Sequence, residues 1–295
     1  MYDCIILGGG PAGLTAGLYL ARGGKKAVVI EKTAFGGQLN LAGKIENMPG
    51  APNVEAYLLA NSIKKQAKES GVEIITATPK GYDFNGDIKT VNTDKGEFKS
   101  KNVIIATGAR HKPLGLVEEE KYIGSGMSYC AHCDGFFFKG KDVVVVGGGD
   151  TALTSALHLS NVCNKVYVVH RREVLRGTKK YADELRQKDN VKFILNAQIS
   201  KILGEFAVEK VLLKTSKDDL ILPVSGVFSC IGILPNSEEF NVKKDDFGAI
   251  VVDENMKTSI KGVYAVGDVR ATVLRQIITA CADGAIAAND VINNG

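Results

Sequence analysis

Cys130 and Cys133 stand two residues apart in the run Cys130-Ala131-His132-Cys133-Asp134-Gly135. Thiols at that spacing can close a small reducible disulfide, and a helix N-terminus or a nearby charge can bring one thiol's pKa toward neutrality. Zinc is the competing use of such a pair. It requires two more ligands at matching spacing, whereas Cys163, Cys230 and Cys281 stand alone and His132 supplies at most a third. No metal site is therefore expected, and an inert pair is the remaining alternative. Asp134 adjoins the second cysteine, where it can protonate the thiolate that leaves when the disulfide is reduced. A simple turn acid before Gly135 is the competing reading. Cys4, Cys163, Cys230, Cys281, His111 and His158 carry no pattern of their own and are expected to be structural or surface groups.

Two glycine turns flank this pair. In Gly8-Gly9-Gly10-Pro11-Ala12-Gly13 the glycines at 8, 10 and 13 fit G-x-G-x-x-G, with an apolar strand before (residues 4–7) and a helix after (14–22). Such a turn lets backbone N–H groups and a helix N-terminus meet a pyrophosphate. The next strand, 27–30, ends at Glu31, where a carboxylate can accept hydrogen bonds from an adenosine ribose, with Lys32 beside it. The second turn, Gly147-Gly148-Gly149-Asp150-Thr151-Ala152, follows the four valines 143–146 and has alanine in the last place, which the fingerprint permits. Its next strand ends not in an acid but in His170-Arg171-Arg172, with Arg176 one helical turn on. Planar guanidinium groups suit a ribose 2′-phosphate, so the second nucleotide is expected to be NADP rather than NAD. A solvated basic stretch is the alternative.

Two copies of strand, glycine turn, helix and strand predict two dinucleotide-binding domains in a chain of 295 residues. The expected fold class is α/β: two Rossmann-like three-layer dinucleotide-binding domains, with the first domain discontinuous in sequence. Its expected bounds are 1–110 and 242–295, and residues 111–241 form an NADPH-binding domain that carries the redox pair. Past the second copy, residues 191–195, 211–213 and 220–223 read as hairpin-like β, 262–266 as a strand and 276–293 as a helix. Apolar residues at 45% and charged residues at 24% describe a soluble globular protein, with no apolar run long enough for a bilayer. Met1 leads almost directly into a strand without the pattern of a signal peptide, so a cytoplasmic location is expected, where six cysteines are not expected to build a structural disulfide framework. The net charge of +4 does not point to nucleic acid, because the densest basic cluster, 170–180, is assigned to the nucleotide phosphate.

With these motifs the chain resembles the low-molecular-weight thioredoxin reductases along essentially its whole length. The resemblance is carried further by Gly36-Gly37-Gln38, Glu46-Asn47-Met48-Pro49-Gly50, Ala106-Thr107-Gly108, Gly267-Asp268 and Arg275-Gln276, in that order. It implies FAD bound across Gly10, Glu31, Gln38, Asn47, Asp268 and Gln276, with Asp268 near the ribityl and phosphate part and Arg275, Gln276 and Ile277 near the flavin ring. It further implies a homodimer, thioredoxin as the partner, and rotation of the nucleotide domain so that nicotinamide and disulfide take turns beside the flavin. In this scheme Cys133 faces the flavin and Cys130 attacks thioredoxin. Two positions depart from the family. Thr154 and Ser155 replace a pair of glutamates on the helix after the second turn, and His132 stands where Thr or Val is common. The first departure keeps open a reductase of the same fold fed by ferredoxin, and a flavoprotein redox module that reacts without turnover is a third reading.

Overall fold

The computed structural model describes residues 1–41, 44–117, 119–215 and 218–294. The chain divides into two compact units, one of residues 1–41, 45–110 and 234–295, the other of residues 42–44 and 111–233.

In the first unit the glycine turn sits at the C-terminal edge of a parallel sheet. Strands Glu73–Thr76, Ala27–Glu31, Tyr2–Leu7 and the end of Gly96–Ile105 run side by side in that order, and Val263–Ala265 pairs parallel to the last of them. The start of Gly96–Ile105 instead pairs antiparallel with Lys89–Thr93, which pairs with Pro79–Asp83. Near-continuous apolar runs such as Cys4-Ile5-Ile6-Leu7 are what a sheet covered on both faces requires, and all four residues are buried. Helices α1 (Pro11–Arg22) and α2 (Ala56–Glu69) belong to this unit, as does the last helix of the chain, Ile277–Asn294. That last helix crosses α1 very closely, because Gly284 faces the Ala12 carbonyl where no Cβ fits. Tyr264 and Lys257 both bond the buried Asp290 of the same helix, at 2.8 and 3.0 Å.

The second unit carries the parallel order Met127–Ser128, Gly226–Ser229, Asp142–Val146, Lys165–His170, Val191–Leu195. The valines of its central strand alternate. Val143 and Val145 pack on α4 (Asp150–Ser160) and α5 (Lys179–Arg186), whereas Val144 and Val146 face an antiparallel meander of Ala197–Leu203, Lys210–Thr215 and Leu220–Pro223. α3 (Ala131–Asp134) is a single turn ahead of the central strand. Residues 191–195 are thus not hairpin-like, contrary to expectation: they form the parallel edge strand, paired with Lys165–His170. Asn196, at φ 53°, turns the chain straight from that strand into the meander, so the two pieces of β run together in sequence. The meander strand Ala197–Leu203 had no counterpart in the sequence reading, and a register shift between Ile199 and Lys201 breaks the alternation of its buried Ala197, Ile199 and Ile202. Among the described residues no helix is long and apolar enough to cross a membrane.

Candidate functional site

Cys130 is the N-cap of α3, and its Sγ accepts a hydrogen bond from the Cys133 N–H at 3.2 Å. The two sulfurs form a disulfide, with Cα atoms 5.3 Å apart. Ser128 ties the loop together: its hydroxyl donates to Asp134 Oδ2 at 2.6 Å and accepts from the Cys130 N–H at 3.0 Å. Burial pushes the Asp134 carboxyl above the ordinary range, against the smaller opposing effect of the Ser128 bond. A carboxyl whose acid form is favoured by burial beside a disulfide is suited to deliver a proton to a departing thiolate. The other cysteines are not poised in this way. Burial pushes Cys163 and Cys230 up to about 11, so both remain thiols.

Two histidines lie closer to this chemistry than their sequence positions suggest. His158, on α4, packs its ring 4.3 Å from that of His132, and burial, with the neighbouring imidazole adding to it, lowers the His158 pKa below its usual value. His111 stacks on Tyr129, next to Cys130, at 4.4 Å, and burial lowers its pKa to about 4. Neither position has a sequence signal, because the pairings join residues far apart in the chain. Among the described residues there is no group of three side chains able to hold a metal ion.

In the first unit, Gly8 has φ 112° and its Cα faces the Ala106 carbonyl, while Gly13 faces the Gly8 carbonyl, so neither tolerates a side chain. Gly10 is different, since the nearest atom to a Cβ there would be Gly37 Cα at 3.9 Å. The turn is closed from below and open above, as a phosphate cradle must be, and Pro11 and Ala12 start the helix behind it. Glu31 is nearly spent on its own loop: Oε2 accepts from the Gly9 N–H at 2.8 Å and Oε1 from the Thr33 N–H at 2.9 Å. One lone pair of Oε2 is left for a ribose hydroxyl, and Lys32 is exposed beside it. Gln38 bridges Ala109 O at 2.8 Å and Asp268 Oδ2 at 3.2 Å, while Asn47 donates to Gln276 at 2.9 Å. Thr107, between Ala106 and Gly108, donates to Asn236 O at 2.7 Å.

Asp268 is raised by burial, with Arg275 pulling it back, and the buried Arg275 Nε has no partner of its own. An orphaned guanidinium N–H next to a crowded carboxyl is a donor awaiting an acceptor, and a polar ring system is the kind of group that satisfies it. These residues therefore fit a flavin dinucleotide. Asp283, absent from the sequence reading, braces the region by accepting from Gly267 N at 3.0 Å and pairing with Arg270 through both oxygens, at 2.6 and 2.7 Å. Ile277 begins the helix that carries it.

At the second turn Gly147 (φ 149°) faces the Cys230 carbonyl and Gly148 faces the His170 ring, whereas Gly149 is open. Arg171, Arg172 and Arg176 are exposed, and none is in an ion pair among the described residues. Three unpaired guanidiniums at one strand end form a ready anion site. His170 is buried beneath them, and burial, with the three arginine charges, lowers its pKa. Thr154 bonds the Asp150 carbonyl of its own helix, and Ser155 is buried against Cys230.

Two glycine-turn units and a disulfide define a class of flavin- and nucleotide-linked disulfide chemistry, and residues 2–284 match the model of the pyridine nucleotide-disulphide oxidoreductase family. The chain belongs to that family. It is 40% identical to a thioredoxin reductase of Peptoclostridium acidaminophilum, with 98% of this chain and 95% of that protein covered. It is 39% identical to one from Listeria monocytogenes, with 97% and 92% covered. The crystal structure of thioredoxin reductase from Streptococcus pyogenes superposes with a TM-score of 0.91 at 41% identity, with 99% of this chain and 97% of that one covered.

Proposed function

We propose that this protein is a thioredoxin-disulfide reductase that draws electrons from NADPH through FAD. The observation that carries the reading is the Cys130–Cys133 disulfide with a half-buried acid, Asp134, reached through Ser128. Gly10 and Arg275 would hold FAD in the first unit, and Gly149 with the three arginines would hold NADPH in the second. When bound, the flavin takes hydride from NADPH and supplies the electron pair that cleaves the disulfide.

The chain's own residues carry the rest. As the sulfur–sulfur bond breaks, Asp134 protonates the leaving sulfur. The Asp134 carboxylate takes that proton back from Cys130, and the resulting thiolate, stabilised by the Cys133 N–H, attacks one sulfur of the thioredoxin disulfide and expels the other as a thiolate, which is protonated from solvent. The Cys133 thiolate then attacks the Cys130 sulfur, which restores the intramolecular disulfide and releases reduced thioredoxin. Two electrons leave and two sulfurs are reoxidised. A cytoplasmic homodimer belongs to the same reading, and light scattering on the purified protein reports the oligomeric state.

Asp134 sets an expected pH dependence. Because its pKa is raised, the acid form persists above the usual carboxyl range, and the step it assists slows as pH climbs through that raised pKa. Asp134→Leu is expected to lower kcat by about 10²-fold and flatten this limb of the profile, whereas Asp134→Asn retains the Ser128 contact and loses less. An unaltered profile in both variants would return Asp134 to the role of a turn acid.

The donor is tested by anaerobic stopped-flow mixing of the yellow protein with NADPH and with NADH. Fast bleaching of the flavin by NADPH and slow bleaching by NADH is the expected result. Bleaching by reduced ferredoxin and by neither nucleotide would replace NADPH with a protein donor.

A further inference from the structure

The arginine-bearing segment, residues 171–178, folds back onto the second glycine turn and is fastened there by its own backbone. The Gly148 carbonyl accepts from both Arg176 N, at 2.7 Å, and Gly177 N, at 2.9 Å. One residue on, the Thr178 N–H donates to Asp150 Oδ1 at 2.5 Å. Gly177 is pressed so tightly against the start of α4 that a Cβ would lie 2.6 Å from Leu153 Cδ1 and 2.9 Å from the Gly149 carbonyl carbon. From below, the His170 ring fills the space under Gly148 and bonds the Val174 backbone. Segment, turn and helix start are thus one packed assembly.

Asp150 is the odd member of it. As the first residue of α4 it places a carboxylate where a pyrophosphate is expected, and two anions at one helix terminus repel. The sequence reading counted Asp150 among the nucleotide-binding residues. Its Oδ1 is instead engaged by the Thr178 N–H, at the far end of the arginine segment. We propose that Asp150 is a positioning residue for nucleotide choice: its bond to Thr178 pins the segment so that Arg171, Arg172 and Arg176 converge on a ribose 2′-phosphate. The inference rests on NADPH as the donor and deepens it, since the carboxylate acts through the loop on one phosphate of the ligand. Binding of the rest of the nucleotide depends on the glycine turn and is left largely alone.

The bond can be cut from either end. Asp150→Ala removes the acceptor. Thr178→Pro removes the donor, and because Thr178 already has φ −56°, the value a proline ring imposes, the backbone needs no change there. Asp150→Asn retains an acceptor oxygen and serves as the conservative rescue. Affinities of the FAD-loaded protein for 2′,5′-ADP and for 5′-AMP are measured by calorimetry, which requires no turnover, after circular dichroism and flavin content establish that each variant is folded. Wild-type protein should bind 2′,5′-ADP the more tightly. Asp150→Ala and Thr178→Pro should each weaken 2′,5′-ADP by about tenfold, the scale of one charged hydrogen bond, with 5′-AMP changed by less than about twofold and Asp150→Asn close to wild type. In turnover, KM for NADPH should rise and KM for NADH should not. Equal losses for both ligands would make the bond a general support of the turn, and unchanged affinities would leave it without a role; either result overturns the inference. A wild-type protein with no preference for 2′,5′-ADP would instead sink the NADPH reading on which the inference stands.

Discussion

With Cys133 replaced by serine, thioredoxin reduction is expected to fall by at least about 10³-fold while NADPH still bleaches the flavin. Cys130→Ser should do the same. Both effects follow from the electron path, since the disulfide is the sole redox group between flavin and partner in the proposed scheme and a hydroxyl cannot replace a thiolate in exchange. Neither cysteine lies in a glycine turn, so nucleotide and flavin binding should survive. The two variants then divide the roles. In Cys133→Ser the Cys130 thiol remains and should form a mixed disulfide with thioredoxin that no second enzyme thiol resolves; alkylating the expelled thioredoxin thiol with iodoacetamide blocks the reverse attack and traps the adduct, visible as an added mass on a non-reducing gel or by intact mass spectrometry. Accumulation of that adduct with Cys130→Ser, and not with Cys133→Ser, would reverse the assignment of nucleophile. The Cys133 N–H already bonded to the Cys130 sulfur supports the first outcome, because a thiolate there inherits a donor in place.

Gly8→Val is expected to yield protein without flavin, colourless or insoluble, and with a lowered Tm. At φ 112° a branched side chain is strained by about 1–2 kcal/mol before any contact is counted. The added carbon would also collide with the Ala106 carbonyl. That carbonyl has no freedom to retreat, since the Ala106 N–H is bonded to Leu7 O at 2.8 Å and the preceding residues form the central strand. Gly10→Ala separates folding from binding. With φ −79° and nothing nearer than 3.9 Å, the chain accepts the methyl group, which then occupies the space above the turn where a pyrophosphate would lie. Normal folding with weakened flavin affinity is the expected result, read by flavin fluorescence during titration of apoprotein. Wild-type flavin affinity in Gly10→Ala would remove the dinucleotide from that turn.

Much of this arrangement was legible along the chain, and the reason is local. A glycine turn between a strand and a helix, a pair of cysteines two residues apart and arginines at a strand end each complete their meaning within a few residues, so spacing alone reports them. The helix boundaries moved by few residues: the last helix begins at Ile277 where residue 276 was expected, and α1 at Pro11 where residue 14 was expected. The strand Val191–Leu195 was read as hairpin-like because a half-buried edge strand has the same pattern whether its neighbour is parallel or antiparallel.

What the sequence determined by itself was the chemistry available: a disulfide pair beside an acid, two phosphate-ready turns and a family to which those motifs belong. The tertiary structure decided how the charges are spent. Glu31 is largely consumed by the N–H groups of Gly9 and Thr33, Asp150 by Thr178, and Asp134 by Ser128 in a half-buried place that raises its pKa. It also brought His158 against His132 and placed Asp283 between Gly267 and Arg270. These are contacts across helices, strands and loops, and a carboxylate's hydrogen bonds and desolvation depend on what the fold packs around it, which no spacing along one chain encodes.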